Sequence, residues 1–164
     1  MKSFITAVIC LMALLLDGCG AETEPPVQLA NPFADCESAE EAEKISGFEF
    51  PESKELSDRA SETVIRAEKG RMTEYIYIMG GGQEIRARKA AGNEDISGLY
   101  EDFSDVPGAE AGGMELTLKG NKGLYSACIW QDGDYSFSVT VSVPLDRDAM
   151  LGLASLFIPG ADAD

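Results

Sequence analysis

The sequence predicts an α+β domain, in which an antiparallel sheet of about six strands carries an N-terminal and a C-terminal helix on one face. Two observations lead to this prediction. Stretches of alternating apolar and polar residues are separated by short glycine-containing turns, and such turns favour antiparallel pairing. Apolar residues at helical spacing occur before the first of these stretches and after the last. Each strand therefore has one apolar face for the helices to cover.

The first predicted element is a short helix over residues 39–46. Ser38 and Glu41 have the spacing of a capping box, in which each side chain accepts a hydrogen bond from the other residue's backbone N–H. Gly47 is a typical residue for the C-terminal end of a helix. At the other end of the domain, Asp146 is predicted to cap the last helix.

Between the two helices, six stretches are rich in β-forming residues or alternate between apolar and polar residues. Tight turns are indicated by Gly80-Gly81-Gly82, by residues 120–123 and by Asp132-Gly133. Residues 92–113 hold glycines and acidic residues without a regular pattern, and they predict a long loop. The six predicted strands are 63–68, 72–79, 83–89, 114–119, 124–131 and 135–143.

The first eighteen residues predict a signal peptide. Lys2 precedes an uncharged, mostly apolar run from Phe4 to Leu16, which as a helix is about 20 Å long and too short for a bilayer core of about 30 Å. The run ends in Leu16-Asp17-Gly18-Cys19, which resembles the lipobox of bacterial lipoproteins. This resemblance implies that Cys19 is lipidated and becomes the mature N-terminus. Asp17 departs from the pattern, because small or apolar residues are usual there, so the efficiency of processing stays open. An ordinary cleaved signal and an uncleaved anchor are the alternatives.

The rest of the chain divides into three predicted parts. Residues 19–32 contain three prolines and form a tether, residues 33–158 form one α+β domain, and residues 159–164 form a tail. A length of 164 residues fits one such domain. The predicted location is the extracytoplasmic face of the cell membrane, and the lipid on the N-terminus makes the membrane the first predicted partner.

Composition excludes several function classes. The formal net charge of −16 opposes binding to nucleic acid, which depends on lysine and arginine meeting phosphates. The absence of histidine removes imidazole acid–base catalysis, Ser-His and Cys-His pairs, and histidine metal ligands. We therefore expect no nucleic-acid partner, no cofactor, no metal and no catalytic residues.

Two of the four cysteines belong to the predicted domain. Cys10 leaves with the signal peptide, and Cys19 carries the lipid. Cys36 and Cys128 can form one disulfide in an oxidising compartment, or they can be two separate, buried small residues. The spacing in the sequence does not decide between these alternatives.

Charge is unevenly distributed along the chain. Residues 59–89 hold seven basic and four acidic residues, whereas the segments on both sides are acidic. Arg86 and Arg88 lie two positions apart on a predicted strand, so they share a face and can clamp an anion, with Lys89 next to them. The alternative is that these arginines pair with the protein's own carboxylates. The carboxylates considered for this pairing are Glu74, Glu94 and Asp95.

The long loop contains several carboxylates, which can bind calcium when they converge. Glu94-Asp95, Glu101-Asp102 and Asp105 lack the spacing of a calcium loop, and solvated loop acids are the simpler interpretation. A hydrolase that uses a carboxylate pair is compatible with the composition, but no motif marks two particular acids.

Several short motifs occur together along residues 31–158. They are Asn31-Pro32-Phe33, Cys36, 38–44, Gly47-Phe48, Ile85-Arg86, Arg88-Lys89-Ala90, Asp95-Ile96-Ser97-Gly98 and Trp130 with 132–136. As a set they resemble a domain of unknown function that recurs in small clostridial lipoproteins and membrane-anchored proteins. The resemblance implies a secreted α+β domain, sometimes linked to extracytoplasmic sensing, without catalytic residues.

The sequence thus predicts a non-catalytic binding or interaction module. Its ligand is expected to be a protein, a peptide or an anionic small molecule, held at Arg86, Arg88 and Lys89. The alternatives are a regulatory domain that senses conditions in the envelope, and a carboxylate-based envelope hydrolase.

Overall fold

The computed structural model describes residues 31–160. The predicted signal peptide, the lipidation site Cys19 and the tether up to residue 30 lie outside the described residues, as do the last four residues of the predicted tail. The described part of the chain is an α+β domain dominated by one antiparallel sheet. Its elements in chain order are β1 (Phe33–Cys36), α1 (Ala39–Ser46), α2 (Lys54–Arg59), β2 (Glu62–Glu68), β3 (Met72–Ile78), β4 (Glu84–Ala91), β5 (Gly108–Ala111), β6 (Met114–Asn121), β7 (Leu124–Asp132), β8 (Tyr135–Leu145) and α3 (Arg147–Ser155).

The sheet has eight strands, so the prediction of six was wrong. The strand order is β1-β2-β3-β4-β8-β7-β6-β5, and every neighbouring pair is antiparallel. The two strands that were not predicted, β1 and β5, are four residues long and form the two edges of the sheet. β5 lies inside the stretch that was predicted as a continuous loop, and the short helix α2 was not predicted either.

Helix α1 covers the residues that the capping pattern predicts. The Ser38 hydroxyl accepts a hydrogen bond from the Glu41 amide (3.3 Å), as expected for an N-cap. The Glu41 carboxylate accepts from the Glu37 amide (2.8 Å), one residue earlier than a capping box requires. Gly47 ends the helix in the left-handed conformation, with φ at 86°.

One face of the sheet carries the main core, and we call it the apolar face. Tyr75 and Tyr77 of β3 are fully buried there, together with Val139 of β8. Leu56 of α2 and Met150 of α3 belong to the same cluster. α1 contacts β1, β2 and β3, and α3 contacts β7 and β8.

Two tyrosine hydroxyls bind the backbone that links α1 to α2. Tyr75 Oη donates to the Phe50 carbonyl oxygen (2.6 Å), and Tyr77 Oη accepts from the Ser53 amide (3.1 Å). These bonds satisfy polar atoms that burial would otherwise leave without partners. Within residues 31–160, no helix is long and apolar enough to span a membrane.

Candidate functional site

The opposite face of the sheet carries a buried ion cluster, and we call it the polar face. Arg66, Glu74 and Arg88 lie side by side on β2, β3 and β4, because they are directly opposite in the strand register. Side chains at such positions share a face and touch. Glu74 is completely buried, with 0% of its side chain exposed. A buried carboxylate requires positive partners, and three arginines supply them.

The arginines divide between the two oxygens of Glu74. Arg66 donates to Oε2 through Nε (2.9 Å) and through Nη2. Arg88 lies against Oε1, at 2.7 Å from both Nε and Nη2. Arg86 Nη1 lies 3.4 Å from the same Oε1. The pairing with Glu74 that the sequence allowed is therefore present.

Most hydrogen-bond donors of Arg88 have acceptors within the protein. Besides the contact with Glu74, Nη1 donates to the carbonyl oxygens of Ile96 (2.9 Å) and Ser97 (2.8 Å). Only 13% of the side chain is exposed. Arg88 thus joins the ion cluster to a segment of the long loop, and its remaining capacity for a ligand is small.

That segment, residues 92–99, crosses the polar face, and we call it the strap. The Ser136 hydroxyl donates to the Gly92 carbonyl (3.0 Å), and the Ser138 hydroxyl donates to the Ile96 carbonyl (3.3 Å). The side chain of Ile96 packs into a small apolar cluster on this face with Met72, Ala90 and Phe33. The strap is therefore fixed to β4 and β8 by both polar and apolar contacts.

Gly98 in the strap is required for close approach to Arg88. Its φ of 72° lies in the left-handed region, which side chains disfavour. A Cβ at this position would also lie 2.5 Å from Arg88 Nη1. No other residue type fits here without moving the guanidinium from its partners.

Arg86 differs from Arg88 because it is the more exposed of the two at an open cleft that both of them line. Its Nε (3.1 Å) and Nη2 both donate to Glu84 Oε1, and 29% of its side chain is exposed. The cleft has a volume of about 270 Å³, and the strap forms one wall of it. Its lining residues are Glu84, Arg86, Arg88, Ser97, Gly98, Leu99, Thr140 and Ser142. We call this the Arg86 cleft.

Lys89 lies on the other side of the sheet, so it does not join the predicted site. It follows Arg88 by one position, and successive side chains of a strand point to opposite faces. Its ammonium group lies 4.3 Å from the ring centre of Tyr135 and donates to the Glu49 carbonyl (2.8 Å). Burial lowers the pKa of Lys89, although Glu49 and Asp132 act in the opposite direction.

The alternative of a Cys36–Cys128 disulfide is wrong, because both residues are free thiols. They lie on β1 and β7, five strand spacings apart in the sheet order. Four strands lie between β1 and β7, and the path along the sheet is roughly 24 Å at about 4.8 Å per spacing, whereas a disulfide requires Cα atoms within about 7 Å. Cys128 is fully buried in the core, and burial raises its pKa to about 12.

The loop carboxylates do not converge. No group of three potential metal ligands occurs within residues 31–160. Asp95 pairs with Lys119 rather than with an arginine. Burial acts to raise the pKa of Asp95, but hydrogen bonds from Lys119 and Ser97 outweigh it, and the pKa is lowered. A general acid in a hydrolase needs the opposite shift.

Two other concavities occur in the described part of the chain. A groove of about 1090 Å³ lies between α2, α3 and the β3–β4 turn, and it mixes apolar walls with Glu55, Arg59 and Gln83. A second cleft of about 640 Å³ lies on the far side of the strap, along β6 and β7. The Arg86 cleft is smaller than either, but it borders the ion cluster directly.

No protein-family model matches the chain, and no similar protein was found among curated sequences or solved structures. The resemblance to a domain of clostridial lipoproteins therefore stays a prediction from the motifs that carry it.

Sequence reasoning identified two arginines of this site and missed most of their surroundings. The central position of Glu74 and the role of Arg66 depend on the pairing of β2, β3 and β4. One signal could have revealed both residues. Aligning the three strands so that charges of opposite sign face each other places Glu74 between Arg66 and Arg88. Thr140 and Ser142 come from β8, whose pairing with β4 has no local signal in the sequence.

Proposed function

We propose that this protein is a lipid-anchored, non-catalytic binding module on the extracytoplasmic face of the cell membrane, and that its ligand occupies the Arg86 cleft. The observation that carries the proposal is the state of Arg86. Its guanidinium is held in place by Glu84 and Glu74, yet it is partly exposed beside an open cleft. A polar group that is already oriented loses little entropy when it binds a ligand.

The construction of the polar face supports binding rather than packing alone. Antiparallel sheets commonly have one face packed on the core and the other face exposed to solvent. Here a fully buried carboxylate, three arginines and the strap are assembled on the second face. Removing charged groups from water costs free energy. A rigid base for a binding cleft is a functional reason to keep such a cluster despite that cost.

The anchor rests on the sequence of residues 1–19, and it has a direct test. We expect radiolabelled palmitate to be incorporated into the wild-type protein in a bacterial host and to be lost in Cys19→Ala. Cys10→Ala is the matched control, because Cys10 is predicted to leave with the signal peptide. Unchanged labelling of Cys19→Ala would contradict the anchor.

The cleft is tested by filling it. Ser142 is exposed and lines the cleft, so Ser142→Trp places a large ring in it. Thr117→Trp adds the same ring at an exposed position of β6, outside the cleft, and serves as the control. A thermal-shift screen of envelope-derived small molecules should find ligands that stabilise the wild type and Thr117→Trp but not Ser142→Trp.

Two results of the screen would contradict the proposal. Ligands that Ser142→Trp still binds as well as the wild type would show that binding occurs elsewhere, and the proposal would be wrong. A complete lack of stabilising ligands would contradict it as well.

A further inference from the structure

We propose that the Arg86 cleft binds a carboxylate monoanion, either a small organic acid or the C-terminal carboxylate of a peptide. This inference rests on the proposed function, and it adds the chemical class of the ligand. Three features of the cleft support it: unused hydrogen-bond donors, the net charge of the ion cluster and the volume of the cleft.

The donors come mainly from Arg86. A guanidinium has five N–H bonds, one on Nε and two on each Nη. Within residues 31–160, Nε and one Nη2 hydrogen are directed to Glu84, and Nη1 has Glu74 as its near acceptor. One hydrogen on each Nη is left without a protein acceptor. Two such hydrogens are what a carboxylate accepts in a bidentate pair.

Thr140 adds a further donor on the neighbouring strand. It lies directly opposite Arg86 in the register of β4 and β8 and lines the same cleft. Its hydroxyl takes part in none of the side-chain hydrogen bonds within residues 31–160, and it is not among the fully buried atoms that lack a partner. Arg86 and Thr140 therefore offer donors to one ligand from two adjacent strands.

The charge of the cluster favours a monoanion. Arg66, Arg86 and Arg88 carry three positive charges, and Glu74 and Glu84 carry two negative ones. The single net positive charge is matched by one carboxylate. A phosphate dianion would bring a second charge close to Glu84, and this repulsion disfavours it.

The volume limits the size of the ligand. A volume of about 270 Å³ lies at the lower end of the range of roughly 300–1,000 Å³ that is usual for ligand sites. A small organic acid fits this space, and so does the last residue of a peptide. A larger molecule can place only its end group here.

The test uses the intact lipidated protein in detergent micelles, with chloride held constant. The probes are acetate, N-acetylglycine, N-acetylglycinamide and inorganic phosphate, and the readout is the dissociation constant from a concentration series of melting temperatures. N-acetylglycinamide has the shape of N-acetylglycine without its charge. We expect at least one carboxylate to bind, and N-acetylglycinamide to bind at least about tenfold more weakly than N-acetylglycine.

Variants locate the binding. Arg86→Gln should weaken carboxylate binding at least about tenfold, because it removes a charge-assisted bidentate pair. Thr140→Val keeps the side-chain shape and the whole ion cluster, so it tests the cleft even if Arg86→Gln does not fold. We expect a loss of several-fold. Arg71→Gln is the control, since Arg71 is exposed and pairs with Glu68 away from the cleft, and it should bind as the wild type does.

The relative affinities identify the kind of carboxylate. Acetate binding as tightly as N-acetylglycine indicates a small acid, and tighter binding of N-acetylglycine indicates a peptide C-terminus. Tighter binding of phosphate, equal binding of the amide, or binding unaffected by Thr140→Val would overturn the carboxylate. If that happens while other ligands are still blocked by Ser142→Trp, the binding module stands and only the ligand class is wrong.

Discussion

Arg86 and Arg88 show how two identical side chains on one strand acquire different roles. Arg88 is surrounded by acceptors, since Glu74 lies on one side and two strap carbonyls lie on the other. Arg86 faces the open end of the strap and keeps part of its surface in solvent. The difference arises because the strap covers Arg88 and leaves part of Arg86 exposed. The alternation of residues along the strand does not predict this difference.

Glu74 is the residue on which the polar face depends. Removing one partner from a buried ion pair costs about 3–5 kcal/mol, because the remaining charges stay buried without compensation. Replacing the whole cluster by apolar residues can be neutral or even stabilising. The cluster is therefore better explained by the orientation of Arg86 and Arg88 than by the stability of the domain.

Gly98 provides a sharp test at the scale of a single residue. Gly98→Ala should lower the free energy of unfolding by at least about 1 kcal/mol more than Gly113→Ala, as measured by urea denaturation. The two positions have similar φ, 72° and 76°, so both variants bear a similar backbone cost. Only at Gly98 does the added methyl meet Arg88 and displace it from the strap carbonyls, since nothing lies within 4 Å of a Cβ at Gly113. Equal destabilisation would show that Arg88 moves aside freely.

At the scale of elements, prediction succeeded where patterns were long and local. Alternation, or a run of β-forming residues, over six or more positions identified the strands between 63 and 143 that form the middle of the sheet. The edge strands β1 and β5 have four residues each, too few for a period of two to stand out. The helix α2 has six residues and one buried apolar side chain, so its sequence has no amphipathic pattern.

The candidate site was predictable only in part, for a physical reason. The shared face of Arg86 and Arg88 follows from strand geometry alone. The position of the strap, by contrast, follows from contacts between residues far apart in the chain, such as Ser138 and Ile96. Lys89 was assigned to the site through its neighbours in the sequence, although the same geometry places it on the opposite face.

The strap should respond to pH through Asp95. Because the folded-state pKa of Asp95 is lowered, its contribution is present above the ordinary value of 3.8 and is lost as the pH falls through the folded-state pKa. Asp95→Asn keeps the Oδ1 that accepts from the Ser97 amide but removes the charge that pairs with Lys119. The side chain is 40% exposed, so the effect on global stability is expected to be small.

Hydrogen exchange gives the more sensitive readout for this prediction. Amides of residues 96–99 should exchange faster in Asp95→Asn than in the wild type at pH 7, while amides in β7 should not change. The difference in melting temperature between the two proteins should vanish as the pH falls through the folded-state pKa of Asp95, which lies below the ordinary value of 3.8. A difference that persists at low pH would show that the charge of Asp95 is not what holds the strap.

At the scale of the whole molecule, the fold gathers charges that are dispersed in the sequence. Basic residues predominate over residues 59–89 in an otherwise acidic chain. Pairing of β2, β3 and β4 places three of the arginines on one face, around one carboxylate. The sequence predicted the basic segment, and the fold determines that most of its charge is used internally.

The reactivity of the Cys36 and Cys128 thiols tests whether the domain is folded as described. In the native protein at pH 8, Cys36 should react with iodoacetamide while Cys128 stays protected, because Cys128 is fully buried and its thiolate is scarce at a pKa of about 12. In urea both should react at similar rates. Peptide mapping after mild oxidation of the native protein should find no link between them, and a native Cys36–Cys128 link would refute the strand order.

The strand order also has a kinetic consequence. β2 to β4 and β5 to β8 are two meanders of consecutive strands, and within the sheet they meet where β4 pairs with β8, across about fifty residues of chain. Each meander closes short loops, whereas the seam between them must close a long one, so we expect the seam to form late in folding and to open early in unfolding. Arg86 and Thr140 stand on opposite sides of that seam. A carboxylate held by both residues links the two sides of the seam, so an occupied cleft should slow the separation of β4 from β8 when the domain unfolds.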